Sequence, residues 1–498
     1  MKWISAAAIA AAAVLQAAGQ VAPARSPAAP PNIVYILADD LGYGELGSYG
    51  QKRIRTPRLD RMASEGMRFR QFYAGSTVCA PSRAAFLTGR HTGHAYVRDN
   101  YGLGGQTDED ERGQYPLPPD HPTLARALRA RGYATAMVGK WGLGGPGSTG
   151  VPTKQGFDFF FGYLDQRQAH NYYPTHLWRN EERFPLRNEY FSPHQKLAGD
   201  PNDPASYAKY RGTDYAIDFM TREADAWVRA NASKPFFLYF APTIPHLALQ
   251  VPEAELKQYE GAFPETPYIG DKGYLPNRTP RAAYAAMITY LDAQVGRILD
   301  TLKEIGADER TLVIFTSDNG AIPSISPAAF FESNAPLRGE KTNLYEGGIR
   351  VPMIARWPGQ VRAGSTSDHV SANWDMWATF AELTGAAPLE ASDGVSILPT
   401  LTGRGAQREH DALYWEFHAK GASQALRAGR WKGIRHQVIQ QPDAPIELYD
   451  LERDSGETTN LAAVHPDTAR RIEALMQSAR TPAVLPRWNF QPASARER

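Results

Sequence analysis

Four short apolar runs, each ending on a polar group, limit what this chain can become. "NIVYILADD" runs from Ile33 to Leu37 and stops at Asp39 and Asp40, and "YATAMVGKWG" stops at Lys140. "KPFFLYFAPTIPH" runs from Phe236 to Phe240 and leads to His246, and "RTLVIFTSDNG" runs from Leu312 to Phe315 and stops at Asp318 and Asn319. Uninterrupted runs of this length suit strands buried on both faces, as in a parallel sheet covered by helices. Helical stretches accompany them. "PRLDRMASEGMRF" starts at Pro57 with Gly66 as its stop, "TLARALRARGY" ends at Gly132, and the long amphipathic "PRAAYAAMITYLDAQVGRILDTLKEIGA" ends near Gly306. Helix and strand in repeated alternation predict an α/β fold with a large, mostly parallel central sheet. Ligands of such sheets sit beyond the carboxyl ends of the strands. Asp39 and Asn319, 280 positions apart, are therefore expected at one edge.

The charge balance narrows the partners. Fifty-four basic against 53 acidic residues leave a net charge of +1, which gives no bulk attraction to nucleic acid or anionic lipid. An anion must be held by a local site. Nothing between residues 32 and 480 reads as a linker, so one very large domain, or a large one with a smaller companion, is expected. The start, "MKWISAAAIAAAAVLQAAGQ", has Lys2, an apolar run from about Trp3 to Leu15, and small Ala17 and Gly19 suited to a peptidase. The run falls short of the roughly 20 residues that cross a bilayer. Residues 1–19 thus predict a secretory signal, residues 20–31 a flexible Ala/Pro-rich lead-in, and the mature protein an exported one, periplasmic or secreted, with no stable membrane insertion after cleavage.

Against that background a lone cysteine stands out. Cys79, in "STVCAPSRAAFLTGR", is the only cysteine in 498 residues and cannot form an intramolecular bridge. It is either an incidental buried thiol or a reactive group. Pro81 in a first turn and Gly89 as a stop predict a helix with Cys79 at its N-terminus and Arg83 one turn on. There the unpaired amides and the dipole favour negative charge, a setting that activates a nucleophile or binds an anion. Asp39, Asp40, Asp318 and Asn319 add a second requirement. Carboxylates crowded at one edge repel unless a cation neutralises them, and an all-oxygen set suits Ca²⁺ or Mg²⁺. Taken singly, each Asp reads equally well as a helix cap or turn former.

The stretch "CAPSR" followed by "AAFLTGR" resembles the signature of the formylglycine-dependent sulfatases, arylsulfatase-like members of the alkaline phosphatase superfamily. In that family a dedicated enzyme oxidises the Cys of C-x-P-S-R to an aldehyde, formylglycine (3-oxoalanine). "PNIVYILADDLGYGELGSYG", "GYATAMVGKWGLG", "TIPH", "TSDNGA" and "RGEKTNLYEGGIRVPMIARWPG" resemble further blocks in the family's order, and the likeness covers about residues 31–465. It implies a catalytic domain over 32–405 and a C-terminal α+β subdomain, an antiparallel sheet and a helix, over 406–498. It also implies that Asp39, Asp40, Asp318 and Asn319 ligate one divalent cation, usually Ca²⁺, together with the modified Cys79. Arg83 would steady the hydrated aldehyde, Lys140 and Lys341 would bind sulfate oxygens, and His246 would act near the leaving group. A hydrated aldehyde offers one hydroxyl to attack sulfur and a second through which sulfate is expelled, an exit that Ser or Cys lacks.

The chain departs from the pattern at one place. Relatives often read G-K-W-H-L-G, with a His that hydrogen-bonds the formylglycine, whereas here Gly142 stands in "GKWGLG". His170, in "RQAHNYYPTHLW", is a candidate substitute, although a structural His fits as well. The insert from about Gly144 to Pro204, with Tyr172, Tyr173, Trp178, Tyr190 and Phe191, either walls a substrate pocket or packs itself down. Arg98, Asp99 and Asn100, soon after the nucleophile helix, are expected to touch substrate, and Glu346 and Arg350 to serve structure. The leading reading is a sulfatase acting on a sulfated carbohydrate or aryl sulfate, matured by a formylglycine-generating enzyme. The alternatives are a phosphate or phosphonate ester hydrolase of the same superfamily and a non-catalytic glycan-binding relative.

Overall fold

The computed structural model describes residues 30–104 and 107–490, so the expected signal and nearly all of the lead-in lie outside the described residues. The apolar runs form the middle of an 11-stranded sheet. In chain order its strands are β1 (Asn32–Ala38), β2 (Met67–Tyr73), β3 (Ala134–Lys140), β4 (Phe159–Tyr163), β5 (His176–Arg179) and β6 (Glu182–Pro185). They continue as β7 (Phe236–Ala241), β8 (Thr311–Ser317), β9 (Arg350–Arg356), β10 (Ser365–Ser367) and β11 (Ser371–Ala372). The spatial order is β10-β2-β9-β8-β1-β7-β3-β4-β5-β6, with β11 also on β2. β8, β1, β7, β3 and β4 run parallel, whereas β9 is antiparallel to both β8 and β2.

Burial on both faces explains why these strands show no polar alternation. Val34 and Ile36 of β1 enter one apolar cluster, and Ile33, Tyr35 and Leu37 enter the cluster on the opposite face. The first is closed by the helices Pro57–Glu65, Ala216–Ala230 and Pro280–Glu304 through Leu59, Met220 and Leu291. The second is closed by Cys79–Thr88, Leu124–Ala130 and Asp375–Thr384 through Phe86, Leu128 and Phe380. Each fully buried Val, Leu, Ile or Phe contributes about 1.5–3 kcal/mol, so the strand interiors are reserved for packing and polar chemistry is confined to their ends. The insert after Gly144 is more ordered than a loop. Its "FFFGY" extends the sheet as β4, and the β5–β6 hairpin continues the edge.

A separate four-stranded antiparallel sheet follows: β12 (Leu413–Phe417), β13 (Ser423–Ala428), β14 (Trp431–His436) and β15 (Glu447–Asp450). One face takes the helix Pro466–Ser478 through Ile472 and Met476. The other meets Tyr73, Val78, Ile349 and Trp374 of the main body, and the Trp415 indole donates to the Ala74 carbonyl at 3.0 Å. Beneath it the fully buried Lys432 Nζ lies 2.9 Å from Glu346 Oε1 and 2.9 Å from Glu457 Oε1. Glu346 also accepts from the Tyr73 hydroxyl and pairs with Arg350 at 3.3 Å, so both residues of "YEGGIR" serve structure. Among the described residues no helix is long and apolar enough to cross a membrane.

Candidate active site

The carboxyl ends of β1, β3 and β8 deliver the charged groups. After β1, Asp39 is anchored by its N–H to the Ile244 carbonyl at 3.1 Å, and Asp40 takes φ 64°, a left-handed turn that Asp tolerates better than most side chains. After β8, Asp318 Oδ1 accepts the Asp40 N–H at 3.1 Å, and Asn319 Nδ2 donates to Asp40 Oδ1 at 2.7 Å. The helix Cys79–Thr88 begins opposite this edge, ends on left-handed Gly89, and is buried along its whole length.

The sulfur sits between two ammonium groups. Lys140 Nζ is 3.5 Å and Lys341 Nζ 3.4 Å from Cys79 Sγ, and they reach Asp39 Oδ2 and Asp40 Oδ1 at 2.7 Å each. The Arg83 guanidinium grips Asp318 Oδ2 at 3.1 and 2.8 Å and donates to the Lys140 carbonyl, so it ties the helix to both strand ends. Burial pushes the Cys79 thiol up to about 12 even with both lysines beside it. At neutral pH it is a thiol and hence a weak nucleophile. Burial also acts against the Asp39 carboxylate, but Lys140, with His246, Arg83 and Lys341, outweighs it and holds Asp39 below the usual range. Asp318 is pushed up to about 6, by burial and then by the charge of Asp39.

These residues fit a hard divalent cation. Asn319 Oδ1 is buried with no partner among the described residues, an unused oxygen donor beside Asp40 and Asp318. Asp39, Asp40, Cys79 and His246 each place one donor atom within 4.8 Å of the others. Lys140 and Lys341 now neutralise Asp39 and Asp40. For both lysines to bind an incoming anion instead, a cation must take over the carboxylates. A second cluster, His91, His94 and Asp393, does not share this fit. His91 Nδ1 accepts the Gly93 N–H at 3.1 Å, so in the neutral ring Nε2 carries the proton and has no lone pair for a metal.

A cavity of about 320 Å³ opens over the sulfur, walled by Asp99, Asn100, His170, His246, Tyr274 and Phe417. His246 donates from Nδ1 to the Leu247 carbonyl at 2.5 Å, which leaves Nε2 for Asp40 and the cavity, and burial pushes its imidazole down to about 4. The Tyr172 hydroxyl steadies this turn through the Thr243 and His246 carbonyls, at 2.6 and 2.7 Å. Asn100 Oδ1 accepts the Ala80 N–H at 2.7 Å and so caps the nucleophile helix from within the wall.

The structure corrects one expected contact. Arg98 does not line the cavity: its buried guanidinium bonds Glu416 Oε1 at 3.1 Å and the Thr481 and Ala95 carbonyls, because a buried Arg needs a carboxylate partner and Glu416 supplies it. His170 does reach the wall. It stacks on His246 at 4.6 Å and bonds His194 through Nδ1 at 2.9 Å. Tyr172, Tyr173 and Trp178 of the insert, in contrast, pack it down: Tyr172 is fully buried, and the Trp178 indole is bound by Glu111 at 3.0 Å, whereas Tyr190 is exposed. Residue 142 brings a group that the motifs did not indicate. Gly142 has φ 86°, and a Cβ built there would lie 2.2 Å from Gln166 Nε2, so the Gln166 carboxamide fills the space a side chain at 142 would take. The only sequence signal for it was the glycine itself.

Comparison with known proteins agrees with this arrangement. The sulfatase family model matches residues 31–386, and a model described as N-sulphoglucosamine sulphohydrolase, C-terminal, matches residues 339–480. Arylsulfatase A of Homo sapiens is 34% identical over 90% of this chain and 87% of its own length. N-acetylgalactosamine-6-sulfatase of Canis lupus familiaris is 34% identical over 75% of this chain and 66% of its own. The crystal structure of Ps i-CgsB in complex with k-i-k-neocarrahexaose superposes with a TM-score of 0.74 at 27% identity, covering 94% of this chain and 96% of that one. Fold, edge chemistry and likeness therefore converge: the chain belongs to the sulfatase family, enzymes that hydrolyse sulfuric esters.

Proposed function

We propose that this protein hydrolyses the sulfate ester of a carbohydrate, or an aryl sulfate, to the alcohol and sulfate, with a formylglycine made from Cys79 as nucleophile. The observation that carries this reading is the position of Cys79 Sγ, 3.5 and 3.4 Å from two ammonium groups at the edge of an oxygen-donor cluster. Asp39, Asp40, Asp318 and Asn319 would hold Ca²⁺ or Mg²⁺ together with the group at position 79. That cation and a hydrated aldehyde supply an acidic hydroxyl able to attack sulfur at moderate pH. The rest is the work of this chain's own side chains. Lys140 and Lys341 bind the sulfuryl oxygens and offset the charge that builds on them. Arg83, fixed on Asp318, orients residue 79. His246, with its Nδ1–H committed to the Leu247 carbonyl, presents an unprotonated Nε2 that takes up the proton lost by the attacking hydroxyl and delivers it to the departing alcohol oxygen.

A glycan substrate is supported by a wall that combines the Asp99 carboxylate with the Tyr274 and Phe417 rings, since hydroxyl-bonding groups beside aromatic faces suit a sugar. The carbohydrate bound to the superposed structure and the amino sugar named in a curated relative point the same way. Export and a host maturation enzyme complete the reading. The test pairs aryl sulfate with aryl phosphate hydrolysis and measures the mass of the tryptic peptide Gln71–Arg83. Sulfate turnover with an aldehyde at Cys79 is the expected result. Active protein carrying only the thiol would overturn the nucleophile assignment, and preference for the phosphate would overturn the reaction.

A further inference from the structure

The wall of the reaction cavity borders a second hollow. Three stretches of chain run from one to the other: His170, Leu247 and Tyr274 line the cavity over Cys79, and Tyr173, Leu249 and Pro276, two or three residues further on, line a separate cavity of about 320 Å³. Three residues span at most about 11 Å, so the two spaces are neighbours, yet they have no lining residue in common. The second cavity is braced. The Tyr207 and Tyr210 hydroxyls donate to the Pro201 and Lys196 carbonyls at 3.0 and 3.3 Å. The Gln250 carboxamide accepts the Tyr172 N–H at 2.9 Å and donates to the Tyr210 carbonyl at 2.8 Å, and the Asn277 carboxamide bonds Leu249 and Thr279 at 2.8 Å each. These bonds hold open a space that an interior packed to crystal density would close, and its volume falls in the range of small-molecule sites, about 300–1,000 Å³.

The lining combines aromatic rings with a surplus of positive charge. Tyr173, Tyr207 and Tyr210 are 6%, 7% and 4% exposed, and all three contribute to it. Arg211 and Glu253 neutralise each other at 2.9 Å. The remaining charged groups of the lining, Lys257, Arg278 and Glu260, form no ion pair among the described residues. Two cations against one carboxylate favour an anion, and tyrosine surface beside them suits a sugar ring.

We propose that this cavity is an accessory binding site for an anionic sugar, one that carries a sulfate or a carboxylate, held apart from the group that is hydrolysed. The choice of ligand rests on the glycan reading above, whereas the cavity itself does not depend on the chemistry at residue 79. Ala208 is an exposed residue of the lining, so Ala208→Trp fills the space without disturbing buried packing. Lys257→Glu combined with Arg278→Glu reverses the charge and leaves the volume. Binding of glucose 6-sulfate, glucuronate and glucose is measured by calorimetry in a Cys79→Ala background, which cannot turn over an ester. Hydrolysis of nitrophenyl sulfate is measured with residue 79 intact.

The expected result is that Ala208→Trp binds one anionic sugar fewer per chain and that the double charge reversal weakens the same binding event about 10-fold, while kcat/KM for nitrophenyl sulfate stays within about twofold of the parent in both. Glucose is expected to bind about 10-fold more weakly than the better of the two anionic sugars, and whichever of these binds more tightly identifies the anion. A Cys79→Ala protein that binds none of the sugars, or cavity variants that bind them as it does, overturn the proposal while aryl sulfate turnover leaves the sulfatase reading standing. Glucose held as tightly as both anionic sugars overturns it as well. So does a loss of aryl sulfate hydrolysis in step with the loss of binding, which would make the hollow part of the reaction site. Sugar binding that the two variants remove, in a parent whose aldehyde-bearing form hydrolyses no aryl sulfate, supports the accessory site and overturns the sulfatase reading alone.

Discussion

Replacing Lys432 by Met tests how the small sheet is fastened to the catalytic body. Lys432, Glu346 and Glu457 are all fully buried, and the ammonium lies 2.9 Å from each carboxylate. Methionine preserves the stem and deletes the charge, leaving two carboxyls with Arg350, 3.3 Å from Glu346, as the remaining close cation. Removing one partner of a buried ion pair costs about 3–5 kcal/mol. The pH dependence gives an independent figure. Burial and the charge of Glu346 push Glu457 up to about 7, although Lys432 opposes the rise; for Glu346, burial is outweighed by Lys432, Arg350 and Arg427, which hold it down to about 2. Without Lys432 both carboxyls rise. A carboxyl raised in the folded state contributes its stability fully below its ordinary value of 4.5 and loses it as pH climbs through the folded value. The variant's deficit against the parent therefore grows from about pH 2, where Glu346 of the parent ionises, and goes on growing between pH 5 and pH 8. One extra proton held from pH 5 to pH 8 adds about 4 kcal/mol to the deficit over that interval. Urea unfolding at pH 5 and pH 8, followed by tryptophan fluorescence, measures it, since Trp415 and Trp431 lie on the small sheet. An equal deficit at both pH values, or none at pH 8, would refute the reasoning.

Two further outcomes concern the chemistry. His246→Ala should lower kcat about 10²- to 10⁴-fold on alkyl or sugar sulfates and much less on nitrophenyl sulfate, whose leaving group needs no proton; equal losses on both would remove His246 from that role. Dialysis against a chelator should abolish activity and lower the melting temperature, and Ca²⁺ or Mg²⁺ at a hundredfold excess over Kd should restore about 2.7 kcal/mol of stability; a melting temperature indifferent to both treatments would count against the cation site.

What could be read from the residues alone follows physical lines. β1, β3, β7 and β8 were legible because burial on both faces leaves an uninterrupted apolar run, and Asp39, Lys140 and Asp318 because each interrupts such a run at its end. The helix of Cys79 was legible from Pro81 and Gly89. The β5–β6 hairpin was not: it is four residues per strand, and its exposed positions carry no period that separates it from a loop. Arg98 was misplaced because closeness in sequence to the nucleophile helix says nothing of Glu416, 318 positions later, which captures it. Gln166 left no trace in any motif, since its position depends on a missing side chain 24 residues earlier, and only the three-dimensional structure relates the two.

The 1% exposure of Cys79 also has a bearing on time. A small ester can enter the cavity above the sulfur, but the active site of another protein cannot close around a residue enclosed by a helix and two lysines. During synthesis Cys79 emerges 262 residues ahead of Lys341, and the small sheet follows later still. Under the proposed formylglycine reading, an enzyme that converts the thiol to an aldehyde would have its opportunity while the polypeptide is still unfinished or unfolded. Delaying the collapse of the sheet would lengthen that interval, and a variant that folds faster would leave more of its molecules with an unconverted thiol.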